Sequence, residues 1–133
     1  MSTPDLTRNQ ALVFDVLKSS TAPLSAYDIL DRLRGEGFRA PLQVYRALEK
    51  LVDYHLVHRL ESLNAFVACA DPEDHLAHAH GITAFAICES CGEVTEFHDR
   101  TIDDRLQKWQ QSRHFRPEKT TIEIRGACAK CAS

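Results

Sequence analysis

Residues 41–69 read PLQVYRALEKLVDYHLVHRLESLNAFVAC, and this stretch changes from a helical to an extended pattern near His55. In its first half apolar residues recur at helical spacing, at Val44, Leu48, Leu51 and Val52. Polar residues follow the opposite side, at Gln43, Arg46, Lys50 and Asp53. The extended segments Leu56–Glu61 and Ala65–Cys69 are separated by the turn-like Ser62-Leu63-Asn64. The stretch therefore predicts a helix beginning around Pro41, followed by a β-hairpin.

Two shorter helices are predicted before it. Thr7 with Gln10 three places on resembles a capping box, which opens a helix ending near Ser19. Ser25 can cap a second helix that ends at Gly35 or Gly37. The inward-facing residues of these two helices are predicted at Ala11, Leu12, Val16, Leu17, Ile29, Leu30 and Leu33. Three helices followed by a hairpin is the order of a winged helix-turn-helix, whose third helix enters the major groove of DNA.

The rest of the chain predicts a His-rich hinge at residues 70–81 and a second, smaller unit at residues 82–133. Strands are expected at Ile82–Ile87, Val94–His98 and Thr120–Arg125, with a helix at Ile102–Ser112. The fold class is therefore α+β, with an N-terminal winged helix-turn-helix in residues 1–69 and a small α/β unit after the hinge. This unit has few core residues, so metal binding or burial against a second copy is expected.

Composition limits the partners. The 133 residues carry a net charge of −3, and no segment is long and apolar enough to span a membrane, so we expect a cytoplasmic protein. The negative charge counts mildly against DNA binding, but residues up to Val67 carry eight basic and eight acidic residues, against eight and eleven in the remainder. Five cysteines suit metal binding better than a disulfide framework.

Four of those cysteines form two C-x-x-C pairs, Cys88/Cys91 and Cys128/Cys131. The two-residue spacer lets both thiolates of a pair turn toward one ion, and four thiolates suit tetrahedral zinc. Gly92 allows the tight turn that such a pair needs. A thiol redox pair would leave one motif without a role. A closed four-cysteine site has no open position for chemistry, so we predict structural zinc and no enzyme activity.

The fifth cysteine indicates a second metal site. If the hairpin turn is centred between Leu63 and Asn64, His58 and Cys69 lie directly opposite each other and can hold one ion. Further ligands are predicted from the hinge, where His75, His78 and His80 lie, and from the second unit, where Glu96 is the candidate and His98 its substitute. Sulfur and imidazole donors favour zinc, with ferrous iron and cobalt as alternatives. The competing interpretation is a surface histidine, a buried apolar cysteine and a solvated linker.

Taken together, these motifs resemble the ferric uptake regulator family over nearly the whole chain. The resemblance is carried by six stretches: Leu6-Thr7, SAYDIL at 25–30, VYRAL at 44–48, LVHR at 56–59, CESCG at 88–92 and CAKC at 128–131. The stretch ESLNAFVAC at 61–69 and the His58/Cys69 pair are similar to the zinc-responsive branch of that family.

The resemblance implies a C-terminal dimerisation domain, a structural zinc on the four cysteines and a regulatory zinc at the hinge, about two Zn²⁺ per chain. His58, Cys69 and Glu96 match regulatory ligands, and His80, with His78 as alternative, supplies the fourth. Two positions depart from the family pattern: Gln43, where threonine is usual, and Gln10, where arginine is common. Operator affinity or preference is expected to differ accordingly.

The function that the resemblance implies is a zinc-responsive repressor that binds a palindromic operator as a homodimer. The expected DNA contacts are Tyr45 and Arg46 to bases, Lys50, Arg39 and Arg59 to phosphates, and Gln43 on the same helix face. No membrane and no small-molecule substrate beyond metal is expected. The alternatives are an iron, manganese or peroxide sensor of the same family, or a zinc-stabilised interaction module that does not bind DNA.

Overall fold

The computed structural model describes residues 5–69, 82–118 and 120–132. They fall into two compact units, one before and one after the predicted hinge. The hinge, residues 70–81, lies outside the described residues, so the exact domain boundaries stay a prediction.

The N-terminal unit contains three helices, α1 (Arg8–Ser19), α2 (Ala26–Leu33) and α3 (Pro41–Asp53), followed by strands β1 (Val57–Leu60) and β2 (Ala65–Ala68). β1 and β2 pair antiparallel, and Leu24 forms an isolated bridge to Phe66 beside them. This order confirms the predicted winged helix-turn-helix.

Side-chain caps define where the first two helices begin. Thr7 accepts from the Gln10 backbone while the Gln10 side chain accepts from the Thr7 backbone, and Ser25 and Asp28 do the same for α2. Each cap satisfies N–H groups that have no partner within the helix. After α2, a short 3₁₀ turn continues to Glu36, and Gly37 adopts a positive φ of 96°. Of the two predicted ends, the chain therefore leaves the helical region at Gly37.

The core of this unit is apolar and includes side chains from all three helices and both strands. On α3 the predicted inward residues Val44, Leu48 and Leu51 are buried, while Val52 is half-buried. On α1 the inward face differs from the prediction. Its buried residues are Val13 and Leu17, whereas Ala11, Leu12 and Val16 are only partly buried.

The C-terminal unit contains β3 (Ile82–Cys88), β4 (Val94–Phe97), helix α4 (Arg100–Ser112) and β5 (Thr120–Gly126). The strand order is β4-β3-β5, with β4 antiparallel and β5 parallel to the central strand. β3 is the central strand and is apolar almost throughout, and five of its seven residues are buried. The predicted α+β unit is confirmed. None of the helices among the described residues is long and apolar enough to cross a membrane.

Truncating Leu51 tests the assignment of the α3 core face. Leu51 is fully buried, whereas Leu42 on the same helix is 57% exposed. We expect Leu51→Ala to lower the free energy of unfolding by about 2–5 kcal/mol, because it leaves a cavity in the core. Leu42→Ala should change it by less than about 0.5 kcal/mol. Urea denaturation followed by far-ultraviolet circular dichroism, at fixed zinc concentration, measures both; equal effects would contradict the assignment.

Candidate metal centres and DNA-facing surface

The two C-x-x-C motifs meet at one end of the C-terminal sheet. Cys88 is the last residue of β3, and the parallel register places Gly126, the last residue of β5, directly beside it. Cys91 lies in the turn after β3, and Cys128 and Cys131 follow β5. Residues distant in sequence therefore converge because the two strands that precede them run in parallel.

The four sulfur atoms lie within 4.8 Å of one another. Sulfur ligands of a tetrahedral zinc ion, each at about 2.3 Å, stand about 3.8 Å apart. The Cys91 and Cys128 sulfurs are separated by this distance, 3.8 Å. Gly92 has a positive φ of 80°, and its N–H donates to the Cys88 carbonyl at 3.0 Å. This tight turn returns Cys91 toward Cys88, so the donor set fits a closed zinc site.

Backbone donors already favour negative charge on one sulfur. The N–H groups of Cys128 and Cys91 each lie 3.4 Å from the Cys88 sulfur. They lower the pKa of Cys88 from 9.0 to about 6. The pKa of Cys131 is instead raised to about 12, first by its contact with the Cys128 thiol and then by that with Cys88. These contacts favour the thiolate of Cys88 and disfavour that of Cys131, and a divalent ion bound by the sulfurs would favour the thiolate form of both.

The second candidate pair lies on the hairpin. The ligand atoms of His58 on β1 and Cys69 after β2 lie within 4.8 Å of each other, and the two residues are 8% and 7% exposed. The predicted register is wrong, because His58 pairs with Val67, and the Cys69 N–H donates to the Leu56 carbonyl at 2.8 Å.

The cause of that error is the position of the turn. It spans Glu61–Asn64 and is centred between Ser62 and Leu63, one residue earlier than expected. Moving the centre by one residue moves each cross-strand partner by two, and residues two apart on a strand share a face. Cys69 is therefore the diagonal neighbour of His58 on the same face. The two side chains stay close enough to share an ion although they are not directly opposite each other.

Glu96 and His98 contact each other in the C-terminal unit. Glu96 lies on β4, where it pairs with Phe85 of β3. Its carboxylate oxygen is 3.0 Å from Nε2 of His98, and its side chain is only 5% exposed. A carboxylate held by a histidine in this way is oriented as a metal-binding carboxylate is by its outer hydrogen bonds. The alternatives for the fourth ligand, His80 and His78, lie outside the described residues and stay predictions.

Most of the residues predicted to contact DNA are exposed on α3 or just before it. Arg39, Arg46 and Lys50 are exposed and make no ion pair with any described residue, and Tyr45 is 39% exposed. Gln43 is half-buried. Together with the start of α1, this side of α3 lines a groove whose walls include Thr7, Asn9, Gln10, Gln43, Arg46, Ala47, Glu49 and Lys50.

Arg59 differs from the three unpaired cations. Its guanidinium donates to Asn64 at 3.0 Å and lies 3.7 Å from Glu61, so it contacts the hairpin turn. Asn64 takes a positive φ of 49°, a conformation that asparagine tolerates well in turns. Arg59 is still partly exposed at the hairpin, with 44% of its side chain accessible.

Comparison with known proteins identifies the family of this chain. The family model for the ferric uptake regulator family matches residues 5–125. This chain belongs to the ferric uptake regulator family. It is 33% identical over 129 residues to the zinc uptake regulation protein of Escherichia coli (strain K12), an alignment that covers 95% of this chain and 72% of that protein.

Two solved structures of zinc uptake regulators are similar in both sequence and fold. The holo form of XcZur has a TM-score of 0.85 and 37% identity, covering 98% of this chain and 89% of that one. A zinc uptake regulator complexed with zinc and DNA has a TM-score of 0.87 and 32% identity, covering 96% of this chain and 83% of that one. Within its family, the chain thus resembles zinc uptake regulators.

One role in the groove was missed by the sequence analysis. The Gln43 side chain accepts hydrogen bonds from the backbone N–H groups of Arg39 and Ala40, so it caps α3. A glutamine at the third helical position after a proline at the first is a signal of such a cap. It was overlooked because Ala40, unlike Thr7 and Ser25, has no side chain that can complete the usual reciprocal pair.

Substituting one of the four cysteines tests the closed site. We expect Cys128→Ser to lower the zinc retained per chain by one equivalent and to lower the thermal unfolding temperature, because the remaining three thiolates bind zinc less tightly. Atomic absorption after dialysis against a mild chelator measures the zinc. Ala129→Ser adds the same hydroxyl at the next position and should keep the metal. Unchanged zinc in Cys128→Ser would show that these four residues do not form the site.

Proposed function

We propose that the chain is a cytoplasmic, zinc-responsive repressor that binds a palindromic operator as a homodimer and controls zinc-uptake genes. The observation that carries the proposal is the convergence of His58 and Cys69 on the hairpin of a winged helix. A metal ligand pair at that place allows the metal to act on the DNA-binding unit itself. The similarity to a zinc uptake regulator complexed with zinc and DNA supports zinc and DNA as the two binding partners.

In this proposal the zinc ion held by Cys88, Cys91, Cys128 and Cys131 has a structural role. The C-terminal unit buries few apolar side chains apart from those of β3, and none of the described residues of α4 is buried. A unit with so small a core gains much of its stability from a metal crosslink. Four sulfur ligands leave zinc no open position, so we assign no catalytic role to this ion.

The regulatory zinc, in our proposal, is held by His58, Cys69, Glu96 and His80, with His78 as the alternative to His80. One sulfur, two imidazoles and one carboxylate suit zinc better than magnesium or calcium, which prefer oxygen donors throughout. These ligands come from both sides of the predicted hinge. A metal that needs all of them would restrict how the DNA-binding unit moves relative to the dimerisation unit.

DNA binding is assigned to α3 and the hairpin. In a winged helix-turn-helix the third helix enters the major groove, where Tyr45 and Arg46 would reach base edges and Gln43 lies on the same side. Arg39 and Lys50 are unpaired among the described residues and suit phosphate contacts, with Arg59 contributing from the hairpin. Local cations therefore supply the attraction that the net charge of −3 does not.

A homodimer is supported by the surface of the C-terminal unit. Large apolar side chains are exposed there, at Ile102, Trp109, Phe115 and Ile124. The rings of Trp109 and Phe115 lie next to each other, with centroids 6.1 Å apart, and exposed apolar patches often mark protein–protein interfaces. Two copies related by a two-fold axis present two recognition helices, which read a palindrome at one fixed spacing.

Zinc can control DNA binding only if it binds the DNA-competent arrangement more tightly than the other. A coupling of about 1–3 kcal/mol, which corresponds to roughly 5–150-fold in affinity, is typical of such regulation. Operator binding measured by fluorescence anisotropy during a zinc titration tests the proposal, with a duplex selected from a randomised library as probe. An operator affinity that is the same with and without zinc in the hinge site would contradict the sensor function. Competitive loading with ferrous iron or manganese would show whether another metal binds there instead.

Replacing the hairpin cysteine separates sensing from structure. We expect Cys69→Ser to keep the four-cysteine zinc and the dimer but to lose the second zinc. Zinc should raise the DNA affinity of the wild type about tenfold or more and should leave that of Cys69→Ser unchanged. Metal analysis, gel filtration and anisotropy measure the three properties. Ala68→Ser places the same hydroxyl on the opposite face of the strand and should respond like the wild type. A normal zinc response in Cys69→Ser would show that the assigned site is wrong.

A further inference from the structure

Gln43 has a hydrogen-bonding role that limits what it can read. Its side-chain carbonyl oxygen, Oε1, accepts from the backbone N–H of Arg39 at 2.6 Å and from that of Ala40 at 3.1 Å. These N–H groups lie at the entrance to α3, where the helix itself offers them no acceptor. The carbonyl of Gln43 is therefore committed to closing the start of the helix.

The same two bonds fix the orientation of the amide. An amide presents an oxygen acceptor on one side and an NH₂ donor on the other, and a reversed amide would oppose donors to the N–H groups of Arg39 and Ala40. The nitrogen, Nε2, is consequently directed away from the cap. Among residues 5–69, 82–118 and 120–132 it makes no hydrogen bond.

Gln43 also lies where a recognition helix reads DNA. It is the third residue of α3 and shares a groove wall with Arg46 and Lys50, one and two turns further along. In helix-turn-helix proteins the residues near the N-terminus of the recognition helix contact base edges. The NH₂ group is thus a donor held in place before DNA arrives.

Glutamine normally recognises adenine through both ends of its amide, with the oxygen accepting from N6 and the nitrogen donating to N7. Gln43 cannot do this while its oxygen caps α3. Resting on the DNA-binding function proposed above, we infer that Gln43 reads the operator as a donor only and specifies guanine at one position in each half-site. The two hydrogens of Nε2 match the adjacent acceptors N7 and O6 of guanine.

Gln43→Glu tests this inference. Glutamate is favoured at this helix position, and one of its carboxylate oxygens can accept the cap hydrogen bonds. Its other oxygen can only accept, so the variant presents an acceptor to DNA where glutamine presents a donor. Zinc-loaded wild type and variant would each be used to select binding sites from a randomised duplex library. We expect the wild type to select guanine at one position in each half-site and Gln43→Glu to select cytosine there, because cytosine offers the N4 donor. The variant should bind the wild-type duplex about tenfold more weakly or worse.

Gln10→Glu is the matched control for the added charge. Gln10 caps α1 in the same way, with its Oε1 accepting from the Thr7 N–H at 3.0 Å, and it lines the same groove. Because both variants add one negative charge to this groove, a loss of affinity that they share is the effect of charge, and only Gln43→Glu should exchange guanine for cytosine. Thermal unfolding of Gln43→Glu should match that of the wild type, because the cap on α3 is retained.

The outcomes separate this inference from the function on which it rests. If the wild type selects no sequence, the proposed function fails and the inference with it. If the wild type selects a site and Gln43→Glu selects the same one, the inference alone is overturned, whether or not affinity falls, because a phosphate contact or a general charge effect would then account for Gln43. A change of preference in Gln10→Glu equal to that in Gln43→Glu would overturn it as well.

Discussion

The parallel pairing of β3 with β5 is the constraint on which the C-terminal unit depends. It places Gly126 beside Cys88, so that the two C-x-x-C motifs meet although Cys88 and Cys128 are 40 positions apart. The backbone N–H groups of Cys91 and Cys128 then approach the Cys88 sulfur and stabilise its thiolate. Strand topology and metal chemistry thus support each other, because the sheet gathers the sulfurs and a bound ion would hold the sheet's end together.

The hairpin of the N-terminal unit uses the same principle on a smaller scale. Antiparallel pairing places His58 and Cys69 on one face, where the histidine ring and the thiol lie within reach of one ion. Both are buried, so an ion there would be shielded from water and its contacts strengthened. The strand that carries His58 also carries Arg59, which contacts the turn of the hairpin. The candidate metal ligands and one of the predicted DNA contacts, Arg59, therefore belong to the same hairpin.

The helices and strands could be predicted from sequence because each has a local signal. Capping residues Thr7 and Ser25 mark two helix starts, and the spacing of Val44, Leu48 and Leu51 marks the buried face of α3. The hairpin register could not be predicted, since Glu61–Asn64 lacks the residues that specify one turn centre. The ligand pair was nevertheless found, because the one-residue error preserved the strand face. The cap made by Gln43 was missed because it depends on the path of Arg39 and Ala40 before the helix. Which hinge histidine binds metal remains a prediction.

In our proposal, zinc binding and operator binding are energetically coupled through one protein. Such coupling is reciprocal, so DNA must raise the affinity for zinc by the factor by which zinc raises the affinity for DNA. The direct measurement is the zinc affinity of the protein with its four-cysteine site already filled. It is obtained by competition with a fluorescent chelator in the presence and absence of the selected duplex. We predict that zinc binds about tenfold more tightly, or better, when DNA is present. An affinity that is the same with and without DNA would contradict it.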